Sequence, residues 1–355
     1  MLPEAKPIRE LDAAGWHALP AAQQEAQLDQ VFATAQPAVL RGFAAHWPMV
    51  RAARDSDGAA ADYLRRQHAP VRETPRSRVG ALVGPPAIKG RFFYNADLSG
   101  FNYAPHWINF EVLLSELARF AREEAQGLPP PSMYVGSTTI DTVLPGFNEE
   151  NTVPLGERDA LASIWIGNRT RIAAHHDVPD NLACVAAGRR RFTLFPPEQL
   201  ANLYIGPLDF TPAGQAISLV DPQAPDLEAY PRFATAMAHA QSAELEAGDA
   251  IFIPSMWWHA IDALHSFNVL VNYWWRDTPG FMDSPVGALM QAMLTIRELP
   301  PPQRKAWQEM FRHYIFEADA GTVAHIPQAA RHALAPLDDT GARMLRAHIL
   351  KKLNR

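Results

Sequence analysis

His175 and Asp177 stand two residues apart, and a further histidine, His259, follows a tryptophan pair much later in the 355-residue chain. In an extended segment, residues i and i+2 project from one face, so the imidazole and the carboxylate can converge on a single point. Joined by an imidazole from a distant strand, they form a two-histidine, one-carboxylate set. That set suits iron(II) and leaves positions open for oxygen chemistry. His-x-Asp alone is a weak signal among thirteen histidines. Its weight comes from His259 lying behind Phe252-Ile-Pro-Ser-Met-Trp-Trp258 after a glycine turn. His176 should point to the opposite face, as a structural polar residue or a substrate contact. His239, His265, His313, His325, His332 and His348 read as ordinary surface residues. Cys184, the only cysteine, lies in an apolar run and reads as an inert buried thiol.

These side chains need a β framework, and the texture from 132 to 276 supplies one. Met133–Ser137, Leu161–Ile166, Ile172–Asp177, Asn181–Ala186, Arg190–Phe195, Ala250–Ile253 and Val269–Trp275 all have strand character. Gly188 reads as the tip of a hairpin and Glu246-Ala-Gly-Asp249 as another turn. Many short strands with regular turn signals predict a sandwich or barrel. Upstream, residues 22–35 read as a helix, Pro37–Gly42 as a first strand, and Ser56 as the cap of a helix running to about Gln67. Residues 80–108 read as loops and short strands. The segment 110–125 is helical, with Leu113, Leu114, Leu117, Phe120 and Ala121 on one face. After Pro279, Val286, Leu289, Met290 and Met293 keep helical spacing, as do Trp307, Met310, Phe311, Tyr314 and Ile315, and later Leu345, Ile349 and Leu353. The expected fold is mainly β with flanking helices and a C-terminal helical region.

At 48% hydrophobic and 20% charged, the chain suits one large domain with an appendage, or two domains. A net charge of -6 gives no electrostatic reason to expect nucleic acid as a main partner. One cysteine rules out an intramolecular disulfide and fits a reducing compartment. The first residues lack a signal-peptide core, and no run has the length of a membrane span. A cytoplasmic location is expected.

The string His175-His-Asp177, Asn181, Gly188-Arg-Arg-Arg-Phe-Thr-Leu-Phe-Pro-Pro197, Gly248-Asp249, Ile253-Pro254, Trp257-Trp258-His259 and Val271-Asn272-Tyr-Trp274 resembles a known family. So does Pro37-Ala-Val-Leu-Arg-Gly42 with His46-Trp47-Pro48. This is the JmjC and cupin-like family of Fe(II)- and 2-oxoglutarate-dependent oxygenases, in the branch of the asparaginyl hydroxylase of hypoxia-inducible factor. The resemblance runs from about 30 to 276. It implies a double-stranded β-helix (cupin, jelly-roll) core with the metal at its mouth, and His175, Asp177 and His259 as iron ligands. It places Asn181, Asn272 and Tyr134 at the 2-oxoglutarate cosubstrate, and Trp274 on the wall of the site. Residues 1–280 would then be the catalytic domain with its N-terminal helices. Residues 281–355 resemble the family's dimerisation bundle only in kind, so a homodimer is an expectation.

Two positions depart from the family pattern. Arg190 stands where the hydroxylase used for comparison carries a lysine that pairs with the distal carboxylate of 2-oxoglutarate. A guanidinium can clamp a carboxylate through two parallel hydrogen bonds. Arg190 also shares strand parity with Phe192 and Leu194, the inward face; the alternative is a solvated Arg-Arg-Arg turn. Ile172 replaces a hydroxyl-bearing residue, so that hydrogen bond must come from elsewhere, with Tyr134 as the candidate. The implied reaction turns 2-oxoglutarate and O2 into succinate and CO2 while hydroxylating a C–H bond. Arg91-Phe-Phe-Tyr94, Phe101-Asn-Tyr103 and the insert 204–245, with Asp209, Asp221, Asp226, Glu228 and Tyr230, are candidates to line the substrate entrance. A protein or peptide side chain leads as substrate, with small metabolites open. Two other readings stay open: a metal-dependent cupin that does not use 2-oxoglutarate, as a dioxygenase or isomerase, and a non-catalytic scaffold.

Overall fold

The computed structural model describes residues 2–354. It divides into two compact units, Met1–Arg276 and Asp277–Arg355. The first unit is built on two β-sheets. The six-stranded sheet runs Lys6–Pro7, Gln241–Glu246, Arg189–Phe195, Trp258–Ala263, Arg171–His175, Arg91–Phe92. The nine-stranded sheet runs Arg9–Asp12, Ala38–Arg41, Ala250–Ile253, Asp180–Ala187, Asn268–Trp275, Leu161–Gly167, Ser132–Thr139, Arg78–Gly84, Ala104–Asn109. Pairing is antiparallel except where Lys6–Pro7, Arg9–Asp12 and Arg91–Phe92 each join in parallel.

Side-chain alternation divides this unit into layers. One face of the nine-stranded sheet carries Ile164, Ile166, Leu182, Cys184, Val271, Tyr273 and Trp275, packed with Leu28, Met49, Val50, Leu64, Leu113, Leu117 and Phe120. Those partners come from the helices Ala21–Phe32, Pro48–Asp55, Asp57–His68 and Phe110–Ala125. The other face carries Ala183, Val185, Ile251, Ile253 and Leu270, which meet Phe192, Leu194 and Leu245 of the six-stranded sheet. The six-stranded sheet's outer face is covered by the insertion after Phe195, through Leu203, Val220, Phe233 and Ala236. This is the jelly-roll-like cupin core, with the site between the sheets.

Local expectations are met in several places. Ser56 accepts a hydrogen bond from the Ala59 amide and caps its helix, and Leu113, Leu114, Leu117 and Phe120 are buried. Cys184 is a buried free thiol, and burial pushes its ionisation up. Three expectations need correction, and one helix, Pro48–Asp55, lies ahead of the one capped by Ser56 where no element was expected. The strand Ala38–Arg41 is the third, not the first, because Lys6–Pro7 and Arg9–Asp12 precede it. The strand predicted over Ile172–Asp177 ends at His175, so Asp177 lies beyond it.

Gly188 is not the tip of a hairpin: the strand before it belongs to the nine-stranded sheet and the strand after it to the six-stranded one. A crossing between layers needs a sharp corner, and Gly188 supplies it with φ +77°. A Cβ there would come 2.4 Å from Asn268 Oδ1 and 2.5 Å from the Phe267 carbonyl oxygen, so only glycine fits without a shift.

The second unit contains the helices Val286–Thr295, Pro301–Phe311 and Asp339–Leu353, the last capped by Asp338. Among its described residues only Thr322 and Ala342 are buried. No helix among the described residues is long and apolar enough to cross a membrane.

Candidate metal centre

His175 ends its strand and is paired in register with His259 at the start of the antiparallel neighbouring strand, so both imidazoles start from the same end of two adjacent strands. A register irregularity between His259 and Ile261 lets the strand of His175 bend there. Asp177 is carried by the loop that follows, and hydrogen bonds hold that loop in place. Its carbonyl accepts from the Met256 amide at 2.9 Å, the Val178 carbonyl accepts from Ser255 Oγ at 2.6 Å, and Asp180 accepts from the Ser255 amide at 2.8 Å. Met256 adopts φ +66° to make its bond. A side chain in this left-handed region is uncommon outside Gly and Asn, and such strain gathers at functional sites.

His175, Asp177 and His259 each offer one ligand atom, all within 4.8 Å of one another. The histidine Nδ1 atoms lie 2.9 Å from the Ala173 carbonyl and 3.0 Å from the Trp257 carbonyl. A carbonyl only accepts, so both Nδ1 atoms carry the proton, and both Nε2 lone pairs are left for a metal. Burial pulls the His259 imidazole down to about 4, with His175 adding to the effect and Asp177 opposing it. His259 is therefore neutral, the form that ligates, at physiological pH. Two neutral imidazoles and a carboxylate are a donor set suited to Fe(II).

Arg190 lies in the space between the sheets, 2% exposed, and neither its Nε nor its Nη2 has a hydrogen-bond partner. The solvated-turn alternative fits Arg189 and Arg191 instead, which both reach Glu244. Burial pulls the Arg190 guanidinium down to about 10, with Tyr134 acting in the opposite sense. Burial likewise pushes the Tyr134 phenol up, and the Arg190 charge opposes that shift. An arginine keeps its proton in proteins, so this shift measures how strongly the buried charge wants an anion. Along its strand Arg190 stands four residues from Leu194, the register partner of His259, a separation of about 13 Å.

Asn181, Asn272 and Trp274 face the same space. Asn181 pairs in register with Trp274, and Asn272 Nδ2 lies 3.4 Å from Asn181 Oδ1. The Trp274 indole N–H is buried without a partner. Trp257, Trp258 and Trp275 are buried in the core. His176 packs edge-on with Trp258 at 4.6 Å, and its Nδ1 is buried without a hydrogen-bond partner. Trp165 escaped sequence reasoning: it stacks on Tyr134 at 5.8 Å, and its indole N–H donates to Asn272 Oδ1 at 2.6 Å. Its parity within the Leu161–Gly167 strand was readable, but its partner depends on a pairing visible only in three dimensions.

The two candidate entrance segments meet. Arg91, Phe93, Tyr94 and Leu98 share a cavity of about 380 Å³ with Leu219, Asp221, Asp226 and Tyr230. Phe101 stacks on Phe210, and the Tyr103 hydroxyl donates to the Pro212 carbonyl at 2.8 Å. Asp209 and Glu228 are exposed and do not line this cavity. Phe92 of the same segment is buried with its ring 5.9 Å from that of Tyr134.

The match to the cupin-like domain over residues 23–281 covers this cluster and every strand of the two sheets except Lys6–Pro7 and Arg9–Asp12, and the chain belongs to that family. Among curated proteins it is similar to a lysine-specific demethylase, JMJ31, of Arabidopsis thaliana, at 35% identity over 133 residues, 35% of this chain and 24% of that protein. It is similar to the chicken (Gallus gallus) tRNA wybutosine-synthesizing protein 5, at 33% identity over 145 residues, 37% of this chain and 42% of that protein. A third relative is the human HSPB1-associated protein 1, at 31% over 121 residues, 34% of this chain and 24% of that protein. The matched segments thus span between about a quarter and two-fifths of these relatives' lengths.

Proposed function

We propose that this protein is an Fe(II)- and 2-oxoglutarate-dependent oxygenase that hydroxylates a C–H bond, with a protein or peptide side chain as the leading substrate class and a small molecule as the second. Members of the JmjC branch of this family use Fe(II) and 2-oxoglutarate, and the His175, Asp177 and His259 donor set is compatible with that metal. The observation that carries the reading is Arg190: a buried guanidinium with two unpaired donor atoms, in the same inter-sheet space as the ligand cluster. A dicarboxylate offers one carboxylate to Arg190 and a keto-acid end to the metal. A cupin that dispenses with 2-oxoglutarate gives Arg190 no partner.

When bound, the metal and cosubstrate supply the oxidising chemistry; the residues supply placement. His175 and His259 are oriented by their carbonyl partners and Asp177 by its loop. Arg190 and Tyr134 hold the distal carboxylate. Trp274, Trp165 and the apolar layer around Phe192 and Leu194 limit the entry of water. The cavity shared by Arg91, Tyr94, Asp221 and Tyr230 is assigned to substrate.

The test is succinate formation from 2-oxoglutarate by anaerobically Fe(II)-loaded protein exposed to O2. Slow turnover above a metal-free control is expected even without substrate. If neither succinate nor any spectroscopic change at Fe(II) follows 2-oxoglutarate addition, the reading is wrong.

The second unit is proposed to pair with a second copy of the chain. With Thr322 and Ala342 as its only buried described residues, and with Leu294 76%, Phe316 78% and Met344 70% exposed, its helices lack a core of their own. Apolar helix faces of this kind are stabilised by a partner. Light scattering is expected to give twice the chain mass; a monomer mass at micromolar concentration would reject the pairing.

A further inference from the structure

Resting on the 2-oxoglutarate reading, we infer that Trp165 is a positioning residue: through Asn272 it fixes the orientation of Asn181, so that Asn181 presents an N–H donor to an anionic cosubstrate. The argument follows from what each group can do. An indole N–H can only donate. The atom of Asn272 that lies 2.6 Å from Trp165 Nε1 is therefore its oxygen, which turns the Asn272 NH2 group away from Trp165. That NH2 group lies 3.4 Å from one terminal atom of Asn181. A donor facing that atom makes it the oxygen, and the Asn181 NH2 group is left as the free end of the chain. The ambiguity between oxygen and nitrogen in a side-chain amide is thus removed at both asparagines by one tryptophan.

The surroundings hold Trp165 in the required place. Its ring stacks on Tyr134 at 5.8 Å and meets Trp274 edge-on at 5.7 Å. Gly136 leaves it room: a Cβ at that position would come 3.0 Å from Trp165 Cζ3. Asn181 and Asn272 are 5% and 2% exposed, so water competes weakly for these bonds and their direction persists. An NH2 group at the open end favours a carboxylate or keto oxygen. The same amide reversed would present an oxygen and repel it.

The test is a double-mutant cycle read by calorimetric titration of 2-oxoglutarate into Mn(II)-loaded protein, with no turnover involved. Trp165→Phe keeps an aromatic ring against Tyr134 but removes the donor, and is expected to raise Kd about 5- to 10-fold. Asn272→Leu is expected to raise it by about 10-fold or more. The double variant is expected to match Asn272→Leu alone, because Trp165 acts through Asn272. Mn(II) affinity and melting temperature, measured on all four proteins, are expected to vary little. A purely packing role for Trp165 would persist in the Asn272→Leu background and multiply the two effects. That outcome, or a Trp165→Phe Kd within twofold of wild type, overturns the inference while leaving the cosubstrate reading standing. Failure of the wild type to bind 2-oxoglutarate overturns the cosubstrate reading and the inference with it.

Discussion

Asp177→Ala protein is expected to lose metal affinity by at least about 100-fold and to form no succinate above the metal-free control. Altering groups that merely orient metal ligands already costs about 10- to 100-fold, so removal of a ligand sets that range as a floor. Asp177 is the only carboxylate of the cluster, and its side chain lies 3.6 Å from His259 Nε2 with 13% exposure. Its loss leaves two neutral imidazoles, whose charge no longer matches a divalent cation. The loop should survive, because it is held by the Asp177 carbonyl rather than by its side chain. Metal titration and a thermal melt of the metal-free variant check both halves. Tight metal binding by the variant would remove Asp177 from the ligand set.

Arg190 carries the second large effect, and it has two opposite signs. Arg190→Ala is expected to weaken 2-oxoglutarate binding by about 2–5 kcal/mol, roughly 30-fold to several-thousand-fold, as for other buried charge pairs that lose one partner. Arg190→Met, similar in length and uncharged, is expected to raise the stability of the ligand-free protein. The downward shift from 12.5 to about 10 corresponds to roughly 3 kcal/mol of burial cost. A base whose folded value is lowered destabilises the fold wherever it is charged in both states. The cost is therefore present in full at neutral pH, where the guanidinium is charged in both states. Denaturant unfolding and calorimetry on the same variants read the two signs. Normal 2-oxoglutarate binding by Arg190→Ala would end the assignment.

Much of the cluster was legible in the chain because its logic is local. Alternation put Arg190 with Phe192 and Leu194 and away from Arg189 and Arg191, and all five lie as that parity requires. His175 and His259 were recognisable from their flanking residues. What stayed hidden depends on long-range pairing. Gly188 between two strands has the same appearance whether the chain folds back within a layer or crosses to another. The strands Lys6–Pro7 and Arg9–Asp12 are too short to show a period. Asp177 keeps its place without strand geometry because bonds from the Ser255 hydroxyl and amide and from the Met256 amide, some eighty positions later, define its loop. Trp165 and Asn272 lie 107 residues apart, and no spacing rule joins them.

The segment Lys6–Asp12 has a protective consequence. Lys6–Pro7 lies along the outer strand of one sheet, Arg9–Asp12 along the outer strand of the other, and between them Ile8, 2% exposed, passes into the apolar layer. An uncovered sheet edge is a template on which strands of other molecules assemble. One short ribbon thus shields two such templates at once, and Ile8 couples them, so losing the ribbon would turn a closed surface into two adhesive ones in a single event.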